Sequence, residues 1–279
     1  EHSCAIAVLG ITFASNSYCG GDMRASALRA FAVCLLSTGI SSFAAAQVSV
    51  GAGSTWSLGD AAVDFGCADL AVNGTLDVSS ANVRNTDSVQ INAGGTVNGG
   101  TGTLGLTGDF SNAGTFSKGT GTVSIADGCG NTTSTIAGSQ SFSALSVTTT
   151  TGKTLLFTAG ATTSVSPGLL TLQGAPGNLL KVRSTVPGTP AKLNLLGTQN
   201  IRFVDVADNH GTGLTLAPGL PSASNSVNSG NVFNWFDVLP IIPALSVAGL
   251  IVLSLLVVGY GLHGRRSAQL TASGNRAHR

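Results

Sequence analysis

Leu70-Ala71-Val72-Asn73-Gly74-Thr75-Leu76-Asp77-Val78 sets aliphatic side chains at every second position on either side of an Asn-Gly-Thr break. Alternation of period two marks half-buried strands, and Asn-Gly marks a turn. The same phrase returns as Val89/Ile91, Leu104/Leu106, Val123/Ile125, Leu145/Val147, Leu193/Leu195, Ile201/Phe203 and Leu214/Leu216. Between these pairs stand Gly94-Gly95-Thr96, Gly102-Thr103, Gly114-Thr115 and Gly121-Thr122, read as turns in which glycine supplies positive φ. No long stretch here carries apolar residues at i, i+3 and i+4, so crossover helices and a doubly wound sheet are excluded. An all-β ectodomain over residues 47–239 follows. The repeated grammar favours a parallel β-solenoid with coils of about twenty residues, a β-sandwich being the alternative. One such coil buries too little to offset the ordering of its own backbone, so coils must stack and both ends of the stack must be covered. Trp56 and Trp235, the two tryptophans, stand near opposite ends and are the expected apolar covers.

Composition narrows the setting. Of 279 residues 9% are charged and 43% hydrophobic, and the formal net charge is +1. The Lys/Arg concentration that phosphate neutralisation needs is missing, which excludes nucleic acid as a partner. Thirty-eight glycines and long Ser/Thr runs do not signify disorder here, because Val, Leu and Ile recur throughout.

Both ends read as targeting segments. Met23 is the sole methionine; Arg24 and Arg29 follow it, then an apolar stretch 30–40, then Phe43-Ala44-Ala45-Ala46-Gln47. This is the layout of a secretory signal peptide over 23–46, with Ala44 and Ala46 as the small residues before a cut at Gln47, and residues 1–22 read as a leader upstream of the true start. The secretion translocon is the first expected partner. At the other end, residues 241–262 carry no charge and as a helix reach roughly 33 Å, enough for a ~30 Å hydrocarbon core. Arg265 and Arg266 form the membrane stop, and the basic tail 267–279 stays cytoplasmic. The expectation is a C-terminal transmembrane helix, with the membrane as partner.

Ile242-Pro243-Ala244-Leu245-Ser246, followed by Gly249-Leu250-Ile251-Val252-Leu253 and by Gly261-Leu262 and the arginine pair, resembles the IPTL-type C-terminal sorting signal of exosortase substrates. The resemblance covers about the last tenth of the chain, within the segment 240–266. It implies a membrane-embedded, cysteine transpeptidase-like processing enzyme that cleaves near Pro243 and passes the ectodomain to the outer surface of a Gram-negative cell. Independently, Pro240 and Pro243 stop a helix from extending upstream and keep that backbone extended. A plain single-span anchor is the other reading of the same residues. The ectodomain is similar in texture to autotransporter passengers and filamentous-haemagglutinin-like adhesins.

Cys67 and Cys129 are the cysteines left in the ectodomain, and an oxidising compartment permits a bond between them. With twenty-residue coils they stand three rungs apart, roughly 14 Å at ~4.8 Å per rung and beyond the ~7 Å Cα limit, so a disulfide there would count against that coil length.

Motifs of chemistry are sparse. Gly100-Thr101-Gly102-Thr103-Leu104-Gly105 matches a dinucleotide fingerprint as text but is followed by no helix to hold a pyrophosphate. Gly99 to Thr103 begins like a calcium β-roll, yet Leu104 stands where the aspartate ligand belongs. Asp205, Asp208 and Asn209 are the best oxygen-ligand or carboxylate group, beside Arg202, and more simply cap turns. His210 is the ectodomain's lone histidine, with no Gly-x-Ser-x-Gly elbow to serve. No catalytic residue, metal or cofactor is expected. The reading is an exported structural or adhesin-like surface protein, with a carbohydrate-binding or carbohydrate-active β-helix, or a plain membrane-anchored periplasmic protein, as alternatives and an extracellular polysaccharide as the further partner.

Overall fold

The computed structural model describes residues 6–8, 11–13, 46–236, 251 and 254–256. Residues 46–236 form a parallel β-solenoid of about eight turns. Each coil runs along three faces. The first face carries Gln47–Val50, the second Thr55–Ser57, and the third begins in Ala62–Val72. Ala62–Val72 and Asn82–Ile91 round the corner from the third face back to the first without leaving the strand, so both faces belong to one 14-stranded sheet. A four-stranded sheet followed by a five-stranded one makes the second face. Outside the solenoid, Ile6–Val8 and Ile11–Phe13 form an antiparallel pair.

Register explains why these residues make strands. Val63, Val83, Leu104, Val123, Leu145 and Leu170 lie one above another on the third face. On the first face Val48, Leu70, Val89, Phe110, Ile136 and Phe157 do the same. From Leu70 to Phe157 that column is at most 1% exposed. A slip of one residue would turn a whole column outward, so burial fixes the register. Phe110, Phe116 and Phe142 meet edge to face in the core, with centroids 5.2 to 5.9 Å apart, a geometry aromatic rings prefer.

The twenty-residue coil holds in the first part. Trp56 stacks on Leu76, Leu76 on Val97 and Val97 on Phe116, steps of 20, 21 and 19 residues. Later steps lengthen, as from Val165 to Leu195, because turns at 174–179 and 185–190 are inserted between strands.

Within the glycine-threonine breaks Gly94 has the expected positive φ, 84°, in a turn, but other glycines do a different job. Gly95 and Gly114 do not need positive φ; they lie where successive rungs touch. A Cβ at Gly95 would stand 2.1 Å from the carbonyl oxygen of Val72, and one at Gly114 would stand 2.3 Å from that of Gly95.

Two of the expected inward residues differ. Phe203 is half-buried, at a corner with φ of 54°, and Leu214 is 52% exposed, where the chain changes face. Trp235 is 4% exposed within the last coil, beside Phe236, and Trp56 is half-buried against the core in the first.

No helix among the described residues is long and apolar enough to cross a membrane. The expected span 241–262 lies outside the described residues except for Ile251, Ser254, Leu255 and Leu256, which are helical.

Candidate functional site

Two features stand out on the solenoid, an open trough on the first face and a strap along the corner beside it. The trough, about 280 Å³, is lined by Gln47, Asp69, Ala71, Ser88, Gln90 and Asp109, together with Leu70 and Ser111. It arises because outward positions of four successive rungs alternate large and small. Ala71, 5% exposed, sits at its floor between longer side chains. Its aspartates are held by the backbone of the next rung: Ser88 N–H donates to Asp69 Oδ1 at 3.1 Å, and Thr135 N–H to Asp109 Oδ1 at 2.6 Å. Each carboxylate thus keeps one oxygen for the trough. With two amides and two hydroxyls beside them, the lining offers hydrogen-bond acceptors and donors with no cation.

The strap is residues 126–132, Ala-Asp-Gly-Cys-Gly-Asn-Thr, between Thr122–Ile125 and Thr133–Ile136. Instead of turning the corner directly, it runs along the stack. Cys129 is joined to Cys67 with Cα atoms 5.4 Å apart. The two cysteines do belong to corner turns three rungs apart, as the coil length requires; four residues from Ile125 at ~3.4 Å each cover the ~14 Å between them. Because this corner leaves its own rung, a separation of three rungs does not forbid the bond, and coil length is not affected.

Side-chain hydrogen bonds tie the strap to three neighbouring turns. The Asn131 amide donates to Asp87 Oδ1 and, at 3.3 Å, to Thr107 Oγ1. Asp127 accepts from Thr150 N–H at 2.7 Å and Thr151 N–H at 3.2 Å. Although burial acts to raise it, hydrogen bonds from Thr149, Thr150 and Thr151 hold the Asp127 carboxyl below the usual carboxylate range. Five successive corner turns, from Cys67 to Thr151, are thereby linked.

Under the strap lies Lys153, 1% exposed. Its ammonium donates to Thr107 O at 2.7 Å, Asn131 O at 2.8 Å and Ser134 Oγ at 3.1 Å, one acceptor for each proton. Burial pushes its pKa down, against the pull of Asp127, Asp109 and Asp87.

The group expected at Asp205 and Asp208 does not assemble. Asp205 pairs with Arg183 and Ser229, not with Arg202, which is exposed on another face. Asp208 occupies a left-handed corner and takes a bond from the Asn231 amide, which with the Gly188 N–H holds its carboxyl below the usual range. Asn209 points inward, fully buried, accepting from Trp235 Nε1 at 3.0 Å. His210 stacks edge-on with Phe233. Among the described residues no three His, Cys, Asp or Glu side chains gather to hold a metal.

Of the targeting residues, Ala46 and Gln47 are described and exposed, Gln47 opening the first strand. Ala44, Ile242, Pro243, Ala244, Leu245, Ser246, Arg265 and Arg266 lie outside the described residues. Sequence alone reveals neither the trough, whose residues are spread over four rungs, nor the strap. The strap's one trace is glycine on both sides of a cysteine, Gly128-Cys129-Gly130. Comparison with family models, curated proteins and solved structures found no match.

Proposed function

We propose that this chain is an exported cell-surface or extracellular-matrix protein, whose signal peptide is removed at Gln47 and whose C-terminal segment is read by an exosortase-type enzyme. The observation that carries the reading is the Cys67–Cys129 bond across three rungs. Disulfides persist in oxidising compartments and are rare in the cytosol. The start of the first solenoid strand at Gln47, one residue past the expected cut, supports the same reading. A stack with in-register columns and a braced corner suits a stiff structural or adhesin-like element. Fractionation of the host with mass spectrometry of both ends, with and without the sorting enzyme, tests it. Ends at Gln47 and near Pro243, the latter only with the enzyme, are expected. A chain still ending at Arg279 in the inner membrane would reduce the segment to a plain anchor.

The trough supports a second reading, carbohydrate binding. Pinned carboxylates and amides at a ~4.8 Å rung spacing suit the hydroxyls of an extended neutral glycan. Asp69→Asn combined with Asp109→Asn is expected to weaken retention on a polysaccharide panel about tenfold, the effect of losing charge-assisted hydrogen bonds. Inertness of the unmodified chain across the panel would leave the structural reading alone.

A further inference from the structure

We propose that the strap 126–132 is a redox latch: with Cys67 and Cys129 joined it bolts five corner turns together, and with two thiols it lifts off while the solenoid beneath stays stacked. Four observations carry this. First, none of the strap's side chains belongs to the hydrophobic core cluster, so its departure uncovers no apolar side chain of its own. Second, Lys153 keeps Thr107 O and Ser134 Oγ, both outside the strap, when Asn131 O leaves, and water takes the third proton. The buried charge is therefore not stranded. Third, Cys67 and Cys129 have φ of 66° and 50°, a left-handed conformation that residues with a Cβ avoid, so neither cysteine favours by itself the corner it occupies. Fourth, Cys67 is exposed, so a reductant reaches the bond.

The chemistry is thiol–disulfide exchange. A small dithiol attacks one sulfur, a mixed disulfide forms, and its second thiol displaces the other. The protein gains two electrons and two protons as Cys67 and Cys129 thiols, and the dithiol leaves as a cyclic disulfide. A thiol oxidant of the disulfide class closes the latch by the reverse path. That the latch would close during export rests on the function proposed above, whereas the switch itself is a property of the purified chain.

Hydrogen exchange followed by mass spectrometry, on the full chain with and without a dithiol and on Cys67→Ser/Cys129→Ser, tests the latch. Complete reduction is verified by a two-dalton mass gain. Peptides covering 126–132 and 64–68 are expected to exchange at least about tenfold faster than the accompanying loss of global stability accounts for, while those covering 142–147 and 191–195 change by no more than that loss. Unchanged exchange in the strap after full reduction would overturn the latch. So would a change in the strap equal to that in the core peptides, which would make the bond a staple for the whole stack. The host fractionation is independent, so a failed export reading leaves this result standing.

Discussion

Lys153 Nζ lies 2.8 Å from the carbonyl oxygen of Asn131, a side chain of one coil's entry turn holding the backbone of the previous one. The contact joins the strap to the solenoid and places a full charge inside it.

Lys153→Met removes three donors at once. Thr107 O keeps the Ser134 hydroxyl as a donor at 3.0 Å, but Ser134 Oγ loses the Lys153 donor, and a buried acceptor left without one costs about 1–3 kcal/mol. A loss of about 2 kcal/mol in urea unfolding is expected. The pH dependence has a definite sign. Because burial lowers the folded-state pKa below 10.5, the unfolded chain holds more protons between the folded value and 10.5, and stability rises with pH across that window. Lys153→Met should abolish the rise.

Asp127 behaves oppositely. Its folded-state pKa lies below 3.8, so its contribution is complete above that value and disappears as pH falls through the folded pKa. Acid unfolding followed from about pH 6 to about pH 2 should show Asp127→Asn already weakened at the upper end, by about 1 kcal/mol, and less sensitive to acid than the unmodified chain.

Removing both cysteines acts largely on the unfolded chain. For a bond between positions 62 residues apart, loop closure alone is worth about 4 kcal/mol. Cys67→Ser/Cys129→Ser should shift the urea midpoint down by a corresponding amount while leaving the far-ultraviolet circular dichroism of the folded state unchanged.

Gly95→Ala tests the close approach of the rungs. A methyl 2.1 Å from Val72 O cannot be accommodated without separating two successive coils, and a loss of about 2–4 kcal/mol in urea unfolding is expected. Ala113→Ser, an exposed change beside Gly114, serves as the control and should stay within about 0.5 kcal/mol of the unmodified chain.

Much of the solenoid was readable because its determinants are local. Val89/Ile91 and Leu104/Leu106 announce strands by alternation alone, and coils that differ by a residue or two keep the period visible. Beyond Gln173 the inserted turns at 174–179 and 185–190 blur it, which is why coil boundaries could not be read there. Asp205 shows the limit for sites. Arg202 is its neighbour in sequence, but Phe203 turns the corner between them, and the partner one rung away, Arg183, is 22 residues upstream. The strap was illegible for the same reason, since its contacts reach from Cys67 to Thr151 and no short pattern encodes them.

The strap has a mechanical consequence. A pull on the C-terminal end of the solenoid would peel coils singly until the load met Thr151 and Lys153. There the cystine withholds the chain between Cys67 and Cys129, roughly 200 Å of contour length at ~3.4 Å per residue. The rod would lengthen freely at one end and refuse to at the other, a tether with a built-in stop whose release is chemical and not mechanical.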